Sequence, residues 1–300
     1  MKYLFIINPI FRKVAEIENA LRESFANTCY ELIRIKESDN EAKYIEKVIY
    51  PSLNAGHLCV TAAGGDGTVR SVAEAIVNLP SKNTFITMGI LPIGSGNMIA
   101  RELGIPVNNI KKSIELLLNY KTIRNIDVLE ICDSGALRRK ICVACIGFRI
   151  SAVVAESYNK SIKRRGLFSY IYHILKSYKD FEKIRFQRTT LVFFDREEVV
   201  DKAILLSLQN LSAWGYGVKV CNAKPDDGLF NCVILDGNRI KTLFYALRLF
   251  RGAFPTRLLA KRVTIIRERE GVIQIDGDTF YAGKELSVRV LPASLNVIAK

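Results

Sequence analysis

Through the first 125 residues of this 300-residue chain, short apolar runs alternate with stretches of helical period. Lys2–Ile7, Tyr30–Ile35, His57–Ala62 and Thr84–Leu91 are apolar enough to be buried strands. After the third run, Val69, Val72, Ala73, Ile76 and Val77 recur three and four apart, as one face of a helix does. Asn109 is placed as an N-cap for another helix, with Ile110, Ile114, Leu117 and Leu118 on its apolar face. Strand–helix alternation predicts a Rossmann-like α/β domain, a parallel sheet with helices on both faces.

From about Asn125 the rhythm changes. Ile126–Cys132, Lys140–Gly147, Ile184–Phe194, Val199–Gln209, Val218–Val220, Leu229–Leu235, Arg262–Arg267, Val272–Ile275 and Leu286–Val290 read as strands. Two helices interrupt them, Leu167–Lys183 and Arg239–Phe254. Many short strands with few helices predict a β-sandwich. The expected division is 1–124 and 125–300, with the last residues able to pack back on the first domain.

Composition narrows the classes. A chain that is 49% hydrophobic and 25% charged is globular rather than disordered. No run approaches the ~18 apolar residues of a membrane-spanning helix. The apolar start is stopped by Asn8-Pro9, which suits a buried first strand better than a signal peptide. Seven scattered cysteines, odd in number, read as buried thiols of a reducing cytoplasm. Cys142 and Cys145 fall in a strand-like run, where odd spacing sends them to opposite faces. The two histidines, His57 and His173, lack metal-ligand spacing and read as structural or surface residues. A formal charge of +14 draws the chain to polyanions, whether nucleotide phosphates, nucleic acid or an anionic membrane.

The chemistry concentrates in glycine turns. Gly64-Gly65-Asp66-Gly67-Thr68 follows an apolar strand and opens a helix, which puts it at the carboxyl end of a strand, where open α/β sheets bind ligands. Glycines there let backbone N–H groups approach phosphate. Asp66 is at odds with a bare phosphate cradle. It fits one that works through a cation, or one in which the carboxylate takes a proton from an attacking group. Gly94-Ser95-Gly96-Asn97 ends the next strand in the same manner. No glycine precedes Lys-Ser or Lys-Thr, and Ile99 stands where a dinucleotide fingerprint needs its third glycine, which disfavours a P-loop and a nicotinamide cofactor. Alone, Ile275-Asp276-Gly277-Asp278 reads as a solvated hairpin, and Pro225-Asp226-Asp227-Gly228 as a type I turn.

Taken in order, Gly64–Thr68, Pro92–Asn97, Lys224–Leu229 and Asp276–Asp278 give the chain a resemblance to the diacylglycerol-kinase catalytic family, which includes YegS-like lipid kinases and sphingosine and ceramide kinases. The resemblance covers essentially the whole chain. It implies an active site in a cleft between the α/β domain and the β-sandwich. It implies ATP bound by Asn8, Pro9, Gly64, Gly65, Asp66, Gly67, Thr68, Gly94, Ser95, Gly96 and Asn97, with Asp278 joining the set. By the same resemblance Asp276 or Asp66 is the general base toward a lipid hydroxyl. Mg²⁺ bridges the ATP phosphates, and a structural Mg²⁺ takes the Asp227 carboxylate and the carbonyls of Lys224 and Leu229. Three departures stand out. Met98 replaces an acid after the asparagine, Asp278 replaces a glutamate, and Asn8-Pro9-Ile10-Phe11-Arg12 lacks the family's Ser-Gly. Arg149, Ile150 and Ser151 follow Gly147-Phe148, where sphingosine kinases soon place an acid.

Two basic stretches complete the reading. Residues 160–188 hold nine Lys/Arg against two acids, and 239–262 hold seven with none, both mixed with aromatics. Such segments suit adsorption to an anionic bilayer. They equally suit helices packed on the sandwich with solvated basic faces. No nucleic-acid module is recognisable. The expected protein is a cytoplasmic kinase, peripheral at the inner membrane surface, acting on a diacylglycerol-like lipid. The alternatives are a kinase of sphingoid bases or other long-chain alcohols, a non-catalytic nucleotide- or lipid-binding relative, and an NAD-kinase-like enzyme. A homo-oligomer is compatible with the sequence.

Overall fold

The computed structural model describes residues 1–10, 14–26, 28–35, 41–54, 56–80, 84–107, 109–133, 139–161, 167–177, 188–201, 203–236, 254 and 258–300. The chain forms two compact units, Met1–Ile126 with Ala293–Lys300, and Asp127–Pro292.

In the first unit the elements run β1 (Lys2–Ile7), α1 (Val14–Ser24), β2 (Tyr30–Arg34), α2 (Glu41–Ile49), β3 (His57–Gly64), α3 (Asp66–Asn78), β4 (Phe85–Pro92), α4 (Met98–Glu102) and α5 (Ile110–Leu118), then enter β5 (Thr122–Asp133). Strand order is β2-β1-β3-β4, and all three pairings are parallel. Residues 293–300 add the end of a later strand beside β4, with Val297 opposite Met88. The apolar runs become strands because their side chains are buried: Leu4 through Ile7 and Leu58 through Val60 are fully enclosed. Helix α1 closes one face through Ile17, Ala20 and Leu21. The rings of Tyr3, Phe5, Phe25 and Tyr30 meet edge to face beneath it. Such ring pairs add about 0.5–1.5 kcal/mol each beyond area burial. Asn109 caps α5 as expected, its side chain accepting from Lys112 N.

The second unit continues through β6 (Arg139–Cys142), β7 (Cys145–Arg149), α6 (Ile150–Asn159), α7 (Leu167–Ser177), β8 (Thr189–Val192), β9 (Glu197–Val200), β10 (Ala203–Gln209), β11 (Ala213–Trp214), β12 (Val218–Lys219), β13 (Phe230–Asp236), β14 (Leu258–Ala260), β15 (Arg262–Arg267), β16 (Gly271–Ile275), β17 (Asp278–Ala282) and β18 (Glu285–Ala299). One sheet is ordered β14-β13-β10-β7-β16-β17 and is antiparallel throughout. The other runs β18-β15-β8-β9, with β5 pairing β18 and β6. A single core takes residues from both, including Leu129, Leu191, Ile265 and Val288 on one side and Ile146, Leu206, Phe230 and Ile273 on the other. This is the β-sandwich the sequence predicts.

Four expectations change. Lys140–Gly147 is two strands, β6 and β7, broken at Val143-Ala144. The premise of one strand with the two thiols on opposite faces therefore fails, and both are buried beside the break. Val199–Gln209 is likewise two strands, β9 and β10. Helix α6 and strand β17 escaped notice because Ile150–Asn159 is short and Asp278–Ala282 is only partly buried. β18 is far longer than Leu286–Val290. The expected helix Arg239–Phe254 lies outside the described residues, apart from the buried Phe254. His57 is half-buried against Thr87 Oγ1 at 3.2 Å. His173 is buried, 2.7 Å from Ser157 Oγ.

Candidate active site

The first unit places three motifs side by side. Parallel pairing sets Ile7 opposite Ala63 and Gly64 opposite Pro92, so β1, β3 and β4 end together. In an order 2-1-3-4 the connections leave β1 and β3 in opposite directions, and a crevice opens at that switch point. Asn8 and the Gly64–Thr68 turn stand there. Asn8 N donates to Ala63 O at 3.1 Å, and its Nδ2 reaches Thr68 Oγ1 at 3.3 Å. Its Oδ1 accepts from Ile10 N at 3.1 Å, closing the turn through the exposed Pro9. Helix α3 begins at Asp66, and its N-cap Gly65 has no side-chain cap. First-turn N–H groups lack intrahelical partners and favour an anion.

The second glycine turn leans on the first. A Cβ on Gly94 would lie 2.4 Å from Gly65 Cα and 2.9 Å from Asn97 Oδ1, so only glycine permits the approach. On Gly64 a Cβ would fall 2.3 Å from Thr68 Oγ1. Ile93 N donates to Gly64 O at 3.1 Å. Asn97, left-handed at φ 48°, donates its Nδ2 to Gly94 O at 2.8 Å. Asp66 joins the turns differently: its Oδ1 accepts from Ile99 N at 3.0 Å. Met98, at the position of the family's acid, is buried in α4. Gly65, Asp66, Gly67, Gly94 and Gly96 are half-buried and Ser95 is exposed, which leaves the edge accessible. Asn8, Gly64–Thr68 and Gly94–Asn97 thus pack against one another at this edge, with Pro9 exposed beside Asn8.

In the second unit, Asp276 and Gly277 form the two-residue turn between β16 and β17, at φ 51° and 92°. Positive φ at both positions makes a type I′ hairpin, a geometry Asp-Gly favours. The hairpin is not solvated at Asp276, which is only 3% exposed. Its Oδ2 accepts from Val143 N at 2.7 Å, and its Oδ1 from Ala144 N at 2.8 Å and Cys145 N at 2.9 Å. Three successive N–H groups converging on an anion form a nest. Cys142 Sγ adds a fourth donor at 3.2 Å. Burial, then the charge of Asp276, pushes the Cys142 thiol well above its ordinary value, so the thiol keeps its proton and donates. Gln274 braces the turn from within, Oε1 accepting from Gly277 N at 2.8 Å and Nε2 reaching Cys145 Sγ at 3.3 Å. Asp278 is half-buried at the start of β17.

Lys224–Leu229 forms a turn with exposed Lys224, Asp226 and Asp227. Asp227 Oδ1 accepts from Leu229 N at 3.0 Å. Sequence reasoning missed the partner of this loop. Asp127 Oδ2 accepts from Gly228 N at 2.7 Å, and Asp127 N donates to Pro225 O at 2.6 Å. Among the described residues no three His, Cys, Asp or Glu side chains group to hold a metal ion. A hard cation here would therefore rely on Asp227, backbone carbonyls and water, a donor set such ions accept. Arg149, first of the three residues after Gly147-Phe148, has a structural part that sequence reasoning missed. It is 7% exposed and donates to Thr189 Oγ1 at 3.2 Å, Val200 O at 2.7 Å and Ala203 O. Burial pulls its pKa down to about 10, which leaves it charged at neutral pH.

The structure thus has an α/β edge with two packed glycine turns in one unit and a nested carboxylate in a β-sandwich in the other. Residues 2–131 match the diacylglycerol kinase catalytic domain, and residues 144–299 match the YegS C-terminal NAD kinase beta sandwich-like domain. The chain belongs to the diacylglycerol kinase and YegS-like lipid kinase family, a family of kinases. It is 27% identical over 248 residues to a diacylglycerol kinase of Mycobacterium tuberculosis, covering 80% of this chain and 76% of that one. To a probable YegS-like lipid kinase of Pseudomonas syringae pv. syringae it is 27% identical over 262 residues, 86% and 81% of the two chains. In fold it is similar to a putative diacylglycerol kinase from Bacillus anthracis str. Sterne, with a TM-score of 0.74 at 20% identity over 100% of this chain and 97% of that one.

Proposed function

We propose that the protein transfers the γ-phosphate of ATP to the hydroxyl of a diacylglycerol-like lipid. The observation that carries this is the edge where β1, β3 and β4 end together. There Asn8, the Gly64–Thr68 turn and the Gly94–Asn97 turn surround the N-terminus of α3 in a chain of a kinase family. The N-terminus of α3 and the close-packed glycines suit the ATP phosphates. Mg²⁺ bound with ATP would neutralise phosphate charge at this edge. Asp66, half-buried in the first turn of α3, fits as the carboxylate toward that cation. Asp276 receives the proton of the attacking hydroxyl. Phosphoryl transfer relies mainly on positioning and charge stabilisation, so a carboxylate held by strong donors can still serve.

The residues right after Gly147-Phe148, Arg149, Ile150 and Ser151, supply no acid to pair with an amine, which supports a neutral glyceride acceptor over a sphingoid base. For the Lys224–Leu229 loop we keep a structural Mg²⁺ on Asp227 as part of the proposal. No helix among the described residues is long and apolar enough to cross a membrane. Adsorption at an anionic, inner-membrane surface is proposed from the +14 charge; the basic segments 160–188 and 239–262 lie mostly outside the described residues.

The test is incubation of the purified protein with labelled ATP, Mg²⁺, NAD and mixed lipid vesicles, followed by resolution of the lipid and nucleotide products. Labelled phosphatidic acid is expected. Label on a sphingoid base would replace the acceptor, and label on NAD the enzyme class. No labelled product across diacylglycerols, monoacylglycerols and sphingoid bases would leave a binding protein.

A further inference from the structure

Behind the Asp276 nest sits a residue that no family motif named above includes. Asn210 follows β10 and is completely buried. Its Nδ2 donates to Val143 O and to Asp127 O, each at 2.8 Å. Its backbone N–H donates to Ala144 O at 2.8 Å, and Leu211 N donates to the same oxygen at 3.1 Å.

The consequence follows from peptide planarity. The carbonyl of Val143 and the N–H of Ala144 belong to one rigid plane, as do the carbonyl of Ala144 and the N–H of Cys145. In a trans peptide those groups point in opposite directions, and the described backbone has no cis peptide bonds. Asn210 therefore grips the acceptor ends of the two planes whose donor ends hold Asp276 Oδ1. Without the side chain, the Val143-Ala144 break between β6 and β7 loses its Nδ2 restraint on that side. The same Nδ2 ties this break to Asp127, whose N–H and carboxylate hold Pro225 and Gly228 of the Lys224–Leu229 loop.

We propose that Asn210 is a positioning residue: it sets the direction of the N–H groups that hold the Asp276 carboxylate and joins that nest to the Lys224–Leu229 loop. The proposal rests on the reading of Asp276 as proton acceptor for its kinetic arm only. Asn210→Ala and Asn210→Ser are made alone and with Asp276→Asn. The singles are expected to lower kcat by roughly ten- to a hundredfold, the scale of a displacement near 1 Å, with the KM for ATP unchanged. If Asn210 acts through Asp276, adding Asn210→Ala to Asp276→Asn costs no further turnover, whereas a general structural role multiplies the two losses. Hydrogen exchange read by mass spectrometry on the segment holding Ala144 and Cys145 is expected to quicken by at least about tenfold while distant β-strand segments keep their protection. Should Asn210→Ala fail to fold, Asn210→Ser, which retains a donor, carries the same measurements. Multiplicative kinetic losses, or unchanged exchange at Ala144 and Cys145, would overturn the assignment. A wild-type protein inactive on every lipid defeats the kinase reading, and the exchange arm then still decides whether Asn210 positions Asp276.

Discussion

Asp276→Asn should unsettle the fold as well as the chemistry, and the size of that effect can be worked from the nest. An asparagine oxygen can take over from Oδ1 and keep Ala144 N, Cys145 N and Cys142 Sγ as donors. Its amide nitrogen then replaces Oδ2 and faces Val143 N at 2.7 Å, donor against donor. Losing one bond to a charged acceptor costs about 1.5–3 kcal/mol, and leaving the buried N–H unsatisfied adds about 1–3 kcal/mol. A total near 4 kcal/mol lowers the melting temperature of a unit of this size by roughly 8–16 °C. Asp195→Asn, at the exposed turn between β8 and β9, is the control, and a surface change of that kind stays within about 0.5 kcal/mol. Differential scanning calorimetry of both variants against wild type reads the difference. A melt of Asp276→Asn within about 2 °C of wild type would refute the nest as an anchor for the carboxylate. Turnover is then measured well below the lower melt. Near-normal turnover there removes Asp276 as the proton acceptor and leaves the stability argument standing.

Gly94→Ala drives a Cβ to 2.4 Å from Gly65 Cα, where backbone cannot yield as a side-chain tip would. It should cost about 1–3 kcal/mol of stability and raise the KM for ATP roughly tenfold or more; wild-type values for both would separate the two turns functionally. Asp66→Asn should cut kcat steeply with the fold intact, and an unchanged rate counts against its place beside the cation. Burial pushes the Glu130 carboxyl up, but its bonds to Arg289 and Arg139 and their charges outweigh this and hold it below the ordinary carboxylate value. A carboxyl lowered by folding stabilises above its unfolded pKa and loses that contribution as pH falls through the folded one. The melting temperature should thus drop on acidification below about pH 4.5, and Glu130→Gln should flatten that drop; an unaltered slope contradicts the pairing. Sedimentation with anionic vesicles should be strong at low salt and weak at about 0.5 M NaCl, and salt-insensitive or absent binding counts against electrostatic adsorption.

The first unit was legible because its signals are local. Apolar runs such as Leu58–Val60 are buried on both faces, and a glycine turn must follow where a strand ends on a helix. The order of the motifs also carried the family. The second unit was legible only in outline. Nothing in Ile141-Cys142-Val143-Ala144-Cys145-Ile146 marks a break, since all six are apolar and all are buried. The break exists because a carboxylate from Asp276, over 130 positions away in sequence, draws three N–H groups out of the ladder. For the same reason Asp276 looked like a solvated turn residue. Asp-Gly does form the hairpin, but the sheet neighbour that buries it is remote in sequence. Asp127 and Asn210 gave no signal at all. Each works through backbone groups of distant segments, and backbone leaves no trace in residue type.

Strand β18 has a consequence for the order in which the protein can be made. Its first half pairs with β15 in the second unit, while Ala293–Lys300 belongs to the first and lies beside β4. A ribosome that has delivered residues 1–126 has supplied β1 to β4 without that neighbour. Until residue 300 emerges, β4 is an open sheet edge lined by Met88, Ile90 and Leu91, the type of edge that recruits strands from other chains. The lateral edge of β4 is therefore made well before the segment that covers it, and the nascent chain must cross the sandwich sequence with that edge exposed or shielded by a chaperone.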